Sequence, residues 1–192
     1  MCDAPFRCAC GAVKGVLHHA TSDGGNHVVC FCDSCRAGAL YCGENDPAPE
    51  GLALFQTTPD NITFSQGQDL IAPFAFVPRN LLRWKATCCG SFLFSTPRNP
   101  KLARVGLYIN RPEDPSVIGP VKSRAFVPQP GGKKAKHENL PALLRVFGRI
   151  LAARISGRWR NTALFDPQSG QPIAPVVLVS KKDKKALLAA QS

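Results

Sequence analysis

The pattern of hydrophobic and polar positions differs between the two parts of the chain. Between Phe6 and Phe94, short runs rich in β-branched and aromatic residues alternate with Gly, Pro, Asn and Asp. This pattern is typical of strands joined by turns. The runs cover residues 15–17, 27–29, 52–55, 62–64 and 92–94. No long helical period occurs in this part, although residues 32–40 are compatible with one or two helical turns. We therefore predict a mainly β domain over residues 1–128.

A helical period begins after a basic, glycine-rich stretch. Residues 129–138 combine Pro, Gly and Lys, which predicts a flexible linker. Asn139 is a candidate N-cap, and Pro141 lies in the first turn, where its missing N–H is harmless. The predicted helix runs from Leu140 to about Ala153. Residues 139–192 are predicted to form a basic helical extension that packs on the β domain, with a strand-like run at 176–179 and a short helix at 181–190.

The predicted helix has one apolar face. Its members are Leu140, Leu143, Leu144, Phe147, Ile150 and Leu151. Because a stripe with this period is normally buried, we expect Leu144, Phe147 and Leu151 to pack on the preceding domain. Arg145 and Arg149 are expected to face outward. Arg154 projects into the stripe, so either the helix ends before it or its side chain reaches inward.

Composition favours a soluble globular protein. The chain has 192 residues, 44% of them hydrophobic, which allows one domain with an appendage. Residues 1–15 lack the apolar segment of a secretory signal, and apolar stretches such as 70–77 are too short to cross a bilayer. We predict a cytoplasmic protein without a transmembrane segment, in a compartment where thiols stay reduced.

The net charge of +11 is unevenly distributed. Residues 133–192 contain 12 Lys and Arg against 3 Asp and Glu, whereas residues 1–132 contain 12 against 10. A basic segment of this kind attracts nucleic-acid phosphates or an anionic membrane surface. However, no aromatic residues interleave with the arginines of the predicted helix, which favours an ordinary solvated face. A nucleic-acid partner is possible but not favoured.

Seven of the nine cysteines lie in three clusters with the spacing of metal ligands. The clusters are Cys8 and Cys10, then Cys30, Cys32 and Cys35, then Cys88 and Cys89. Cysteines at i and i+2 on a strand point to the same face, and cysteines at i and i+3 around a turn can close on one ion. Thiolates select zinc, copper(I) or iron–sulfur centres. The odd number of cysteines argues against a disulfide framework, and we predict a zinc protein.

In combination, the clusters resemble a known family. The segments Cys8-Ala9-Cys10-Gly11, Cys30-Phe31-Cys32-Asp33-Ser34-Cys35 and Cys88-Cys89-Gly90 are similar to those of the glutathione-dependent formaldehyde-activating enzymes, which share their domain with centromere protein V. The resemblance covers about residues 5–125, and the chain looks like an uncharacterised branch with a basic C-terminal extension. It implies a β-tent, in which stacked antiparallel sheets are pinned by zinc.

The resemblance also implies two zinc sites and a reaction class. A structural zinc is expected on Cys8, Cys10, Cys88 and Cys89. A catalytic-type zinc with an open coordination position is expected on Cys30, Cys32 and Cys35. The family's chemistry is the making or breaking of carbon–sulfur bonds in small thiol adducts, such as the formaldehyde adduct of glutathione.

One departure from the family concerns the last pair, which is usually Cys-x-x-Cys-Gly. Here Ala86 occupies the first cysteine position and the two cysteines are adjacent. Adjacent side chains on a strand point to opposite faces, so both cysteines can bind one ion only where the backbone turns. Cys42 and Cys2 are alternatives to Cys88 as the fourth ligand of this site.

Two further alternatives concern the middle cluster. A fourth ligand such as His27, Asp33 or Cys42 would close the site and leave no position for a substrate. Arg36 follows Cys35 directly and is a candidate to bind a substrate carboxylate with two hydrogen bonds, the alternative being a surface arginine.

Two classes of function follow. One is a zinc-dependent carbon–sulfur lyase that acts on a small thiol adduct, for which a glutathione derivative is one candidate. The other is a non-catalytic zinc module that binds a partner, nucleic acid or an anionic surface through its basic C-terminus. An open middle site in a pocket favours the first, and a closed middle site favours the second.

Overall fold

A computed structural model of the chain describes residues 2–77 and 81–190. In this part the fold has twelve strands and three α-helices. The strands are β1 (Ala4–Arg7), β2 (Lys14–Leu17), β3 (Asn26–Cys30), β4 (Leu52–Thr57), β5 (Ile62–Gln66), β6 (Ile71–Ala75), β7 (Leu82–Ala86), β8 (Phe92–Thr96), β9 (Val105–Tyr108), β10 (Ser123–Val127), β11 (Lys136–Glu138) and β12 (Val177–Leu178). The helices are α1 (Asp33–Tyr41), α2 (Leu140–Ile155) and α3 (Lys181–Ala189).

The strands form two sheets. The smaller sheet has the order β1-β2-β5, and the larger has the order β11-β10-β3-β4-β9-β8-β7-β6-β12. Most pairs are antiparallel, but β10 runs parallel to β3 and β12 runs parallel to β6. The prediction of a mainly β fold with stacked sheets and a C-terminal helix is confirmed. The strand-like runs and the short helix after Cys32 also lie where the sequence predicted them.

The larger sheet is the central layer. Neighbouring residues in its strands contribute to different core clusters, as Leu54 and Phe55 do in β4, because successive side chains point to opposite faces. On one face the smaller sheet covers it, and the Phe6 ring meets the Phe94 ring edge-on at 5.5 Å. On the other face α1 covers it through Ala37 and Ala39, both fully buried. This helix carries part of the candidate site.

The residues after 160 belong to the core of the same structure. Leu164 and Phe165 lie in the cluster between the sheets, and the Phe165 ring packs edge-on against Trp84 at 5.7 Å. Strand β12 extends the larger sheet, and Val179 and α3 pack with the cluster that contains α1. Strand β11, which pairs with β10, lies within the stretch predicted as a linker. The division of the chain into separate domains stays a prediction.

Helix α2 has the predicted position but not the predicted buried face. Asn139 caps it, and its side chain accepts a hydrogen bond from the backbone N–H of Ala142. The buried residues are Ala142, Val146 and Ala153. The predicted stripe is largely exposed instead, with Leu144, Phe147 and Leu151 at 60%, 58% and 57%.

The reason for this correction is that α2 carries two faces with helical spacing. Ala142, Val146, Arg149 and Ala153 recur at intervals of four, three and four residues, and small residues allow a helix to approach its neighbours closely. Arg149 was predicted to face outward, but it donates a hydrogen bond to the backbone oxygen of Asp23 at 2.6 Å. Arg145 is exposed, as expected. Arg154 lies in the last turn and is exposed, so neither placement predicted for it is correct.

The burial of two phenylalanines gives a direct check of this packing. Phe165 is 3% exposed and Phe147 is 58% exposed. Phe165→Ala should lower the free energy of unfolding by about 3 to 5 kcal/mol, since it leaves a cavity beside Trp84. Phe147→Ala should change it by less than about 0.5 kcal/mol. Urea denaturation of both variants measures the difference, and equal destabilisation would contradict this orientation of α2.

Candidate metal centres and their pocket

Four cysteines from two distant segments of the chain meet at one point. Cys8 and Cys10 follow β1, and Cys88 and Cys89 lie between β7 and β8. Their sulfur atoms all lie within 4.8 Å of one another. The Sγ atoms of Cys8 and Cys10 are 3.5 Å apart, and that of Cys88 lies 3.4 Å from Cys10 and 3.9 Å from Cys8. A tetrahedron with Zn–S bonds of about 2.3 Å places sulfurs about 3.8 Å apart, so the group fits a single zinc ion.

The backbone turns between β7 and β8, as two adjacent cysteine ligands require. Residues 87–89 form the turn, and the N–H of Gly90 closes it by donating to the oxygen of Ala86 at 2.8 Å. Gly90 has a φ of +78°, a conformation that residues with a Cβ rarely adopt. Cys88 therefore belongs to the group with Cys89, whereas the alternatives Cys42 and Cys2 do not.

The middle cluster forms a second group at the start of α1. Cys30 ends β3, Cys32 is the N-cap of α1, and Cys35 lies in its first turn. Their sulfurs also lie within 4.8 Å of one another, and those of Cys30 and Cys32 are 3.4 Å apart. The backbone N–H of Cys35 donates to the sulfur of Cys32 at 3.3 Å. The N-cap hydrogen bond therefore determines the position of the Cys32 sulfur relative to the helix.

The second group favours a thiolate at its centre. Hydrogen bonds from the Cys30 and Cys35 thiols, together with backbone N–H groups at the helix N-terminus, lower the pKa of Cys32. The pKa of Cys30 is raised by its hydrogen bond with Cys32. The pKa of Cys35 is raised by its hydrogen bonds with Cys30 and Cys32, and burial adds to the shift. A cation that binds all three sulfurs would replace the protons that they share.

Among the described residues, no fourth Cys, His, Asp or Glu joins this second group. Two of the predicted alternatives, His27 and Cys42, are engaged or lie elsewhere. The Nδ1 atom of His27 is 2.7 Å from the backbone oxygen of Gly119. Cys42 lies at the other end of α1, where burial raises the pKa of its thiol to about 12. Three sulfurs without a fourth protein ligand leave room for an exogenous one, which is the arrangement of catalytic zinc sites.

The second group faces a pocket of about 1020 Å³. Cys30, Cys32 and Cys35 line one side of it, and the first residues of α2 line another, including Leu140 and Leu143. A cavity of this size accommodates a small organic molecule. The four-cysteine group does not line this pocket, so the two groups have different surroundings.

A buried arginine lies behind the three cysteines. Arg83 of β7 is 1% exposed, and its Nη2 atom donates to the Ser34 hydroxyl at 2.8 Å. Burial lowers the pKa of Arg83, and the nearby charge of Cys35 opposes this shift. Helix α1 leaves space for the side chain only because residue 38 is glycine: a Cβ there would lie 2.5 Å from Cδ of Arg83. The guanidinium thus offsets negative charge at the cysteines.

Three more arginines of the pocket wall were not identified from the sequence, namely Arg124, which is exposed on β10, and two residues of loops. Arg98 follows β8 and Arg104 precedes β9, and both line the pocket. The Nε atom of Arg98 is buried without a hydrogen-bond partner. Burial lowers the pKa of Arg104. In the sequence these residues are isolated arginines in polar loops, and no local pattern connects them with the cysteines.

Arg36, the predicted substrate-binding residue, is engaged by another group. Its Nε and Nη2 atoms donate to the two carboxylate oxygens of Asp46, at 2.8 and 2.6 Å. It does not line the pocket of the middle cluster. A substrate role for Arg36 stays a prediction, and its two-point contact with Asp46 explains its position without one.

Comparison with known proteins gives a family and no activity. A family model described as a family of unknown function, DUF6151, matches residues 2–177. Among solved structures, the chain is similar to a Rhodobacter sphaeroides protein determined as a Northeast Structural Genomics target. The identity is 19% and the TM-score 0.45, over 61% of this chain and 96% of the other. No curated protein matches the chain significantly. The resemblance to the formaldehyde-activating enzymes stays a prediction.

Proposed function

Because the chain belongs to the DUF6151 family, for which no function is assigned, we propose a function from the chain's own site. It is a zinc-dependent carbon–sulfur lyase that acts on a small thiol adduct. The observation that carries this proposal is the second group, in which three cysteine sulfurs face a pocket and no fourth ligand joins them in the described part of the chain. The four-cysteine group would hold a structural zinc ion.

The two groups differ in the way that structural and catalytic zinc sites differ. Four cysteines complete a tetrahedron and link β1 to the turn after β7, two segments about 80 residues apart in sequence. Three cysteines leave one position for the sulfur of a substrate. When bound there, zinc would lower the pKa of a substrate thiol and polarise the carbon–sulfur bond.

The chain's own residues supply the remaining requirements. Cys30, Cys32 and Cys35 hold the cation at the wall of the pocket, and Arg83 balances the negative charge of three thiolates around a divalent ion. The residues of α2 that line the pocket add apolar surface to its wall.

The reaction expected for a hemithioacetal is balanced without an oxidant or reductant. In RS–CH₂–OH the carbon–sulfur bond breaks with its electron pair going to sulfur, the hydroxyl proton is transferred to that sulfur, and the products are RSH and formaldehyde. The reverse reaction forms the same bond from thiol and aldehyde. The choice of a formaldehyde adduct comes from the resemblance of the cysteine clusters, and the pocket requires only a small adduct with a sulfur that reaches the cysteines.

Magnetisation-transfer NMR tests the proposal. Zinc-loaded protein is added to an equilibrated mixture of glutathione and ¹³C-formaldehyde, and the exchange between free and thiol-bound carbon is measured. We expect the exchange to accelerate in proportion to the protein concentration, by about tenfold or more over buffer, because a positioned metal ion polarises the reacting bond. The matched control is Cys2→Ser, because Cys2 belongs to neither group. An exchange rate equal to that of buffer would contradict the proposal for this substrate.

The alternative function, binding of a partner through the basic C-terminus, stays a prediction. Among the described residues no helix has the length and apolar character needed to cross a bilayer. The exposed apolar stripe of α2 offers a surface for such a partner. However, two residues of the stripe, Leu140 and Phe147, line the mouth of the pocket, which explains their exposure without a partner.

A further inference from the structure

The pocket beside Cys30, Cys32 and Cys35 has an unusual charge. Four arginines line it, namely Arg83, Arg98, Arg104 and Arg124, whereas Glu138 is the one carboxylate among the described lining residues. Zinc bound by three thiolates carries one negative charge, which one arginine can balance. An excess of positive charge therefore remains in a cavity where field lines are concentrated by the surrounding protein.

The arginines differ in their partners. Arg83 is buried and has partners for its guanidinium: its Cζ atom lies 5.1 Å from the centroid of the Phe76 ring, and its Nη2 atom donates to the Ser34 hydroxyl. Arg124 is exposed on β10. Arg98 and Arg104 lie between these extremes, partly buried in the wall, and neither forms an ion pair with a described carboxylate.

Arg98 and Arg104 lack the described carboxylate partner that usually accompanies a desolvated arginine, although the charges of Cys35 and Cys30 act on Arg104. A buried donor without an acceptor costs free energy, and the buried Nε of Arg98 is such a donor. An unpaired donor of this kind in a native structure calls for an explanation. Because Nε itself is buried, the donors of Arg98 that a ligand in the pocket can reach are the two terminal amino groups of its guanidinium. A planar guanidinium offers a fork of donors that matches a carboxylate.

We infer that Arg98 and Arg104 bind a carboxylate of the substrate, so that the site selects thiols bearing carboxylate groups over neutral or cationic thiols. This inference rests on the proposed function for the position of the sulfur, at the three cysteines. The carboxylate site itself depends only on the two arginines. The three cysteines and both arginines line one pocket, and the charges of Cys35 and Cys30 act on Arg104. The substrate of this inference is therefore a small thiol whose carboxylate lies near the sulfur.

Titration calorimetry with three probes tests the inference. The probes are 2-mercaptosuccinate, its dimethyl ester, which keeps the thiol but not the charge, and succinate, which keeps the charge but not the thiol. Zinc-loaded wild type should bind 2-mercaptosuccinate at least about tenfold more tightly than the ester, as expected for a charge-assisted hydrogen bond. In Arg98→Gln and Arg104→Gln the preference should fall to about threefold or less, and succinate binding should weaken in parallel.

The control variant is Arg145→Gln, because Arg145 is exposed on α2 and does not line the pocket. It should keep the full preference. Equal binding of the diacid and the ester by wild type would overturn the inference, with no need for any variant to fold. So would a preference that survives in both Arg98→Gln and Arg104→Gln.

The same probes separate this inference from the proposed function. Arginine-dependent binding of succinate without any binding of the ester would support the carboxylate site and count against the open metal position. Binding of the ester without preference for the diacid would support the open metal position and count against the carboxylate site. Absence of binding by all three probes would overturn both.

Discussion

Cys10→Ser is expected to abolish the cooperative thermal unfolding transition, or to make the protein insoluble. Cys10 lies 3.5 Å from Cys8 and 3.4 Å from Cys88 between sulfur atoms, so its loss opens the four-cysteine group. The free energy of structural zinc binding contributes directly to folding, and apparent values are on the order of 10 kcal/mol or more, comparable to the whole stability of a domain. Circular dichroism during heating measures the transition.

The matched control for this prediction is Cys2→Ser, which removes a thiol near the same end of the chain. Cys2 belongs to neither cysteine group, and its substitution should leave the melting temperature within a few degrees of wild type. A Cys10→Ser protein that is metal-free and melts as wild type does would show that the four cysteines do not support the fold.

Cys32→Ser is expected to eliminate the acceleration of formaldehyde exchange while the fold is kept. Cys32 is the N-cap of α1, and its sulfur accepts the hydrogen bond from the N–H of Cys35. Serine is a favourable N-cap, so the substitution removes a metal ligand without removing the cap. We expect the exchange rate to fall to that of buffer and the melting temperature to fall by only a few degrees.

Cys32→Ala separates the two roles of this residue. It removes the ligand and the cap together, and it should cost about 1 kcal/mol more in unfolding free energy than Cys32→Ser. Retention of the full exchange rate in a folded Cys32→Ser protein would exclude the second group as the reacting centre. Global unfolding of Cys32→Ser would instead show that this group, like the first, is structural.

The strands and the three cysteine clusters could be predicted because both depend on local spacing. Alternation of buried and half-buried residues identifies a strand such as β3. Cysteines two residues apart on a strand share a face, and cysteines three residues apart can meet around a turn. The joining of Cys8 and Cys10 with Cys88 and Cys89 came from the resemblance. It required one further condition, a turn at the adjacent pair, which Gly90 provides.

The pocket could not be predicted because its residues come together only through sheet pairing. The larger sheet places β3, β4, β9, β8 and β7 side by side. Arg83, Arg98 and Arg104 thereby reach the cavity beside the cysteines at the start of α1. Their distances in sequence carry no periodic signal. Arg36 had such a signal, adjacency to Cys35, but the local geometry directs it to Asp46.

Helix α2 shows a second limit of sequence patterns. The period fixed the helix and its cap, but two faces satisfy the same period, and the more hydrophobic one is exposed. Packing through Ala142, Val146 and Ala153 brings the helix close to the sheet and places Arg149 against the backbone of Asp23. Hydrophobicity alone therefore does not predict which face of α2 is buried, because the face with the smaller residues allows the helix to approach the sheet more closely.

The central claim is that the chain holds two zinc ions in two different sites. Elemental analysis of the purified, reduced protein by mass spectrometry, with protein concentration from amino-acid analysis, tests it most directly. We expect about two zinc ions per chain in wild type and about one in folded Cys32→Ser, because only the three-cysteine site is lost. A wild-type value near one that Cys32→Ser leaves unchanged would contradict it.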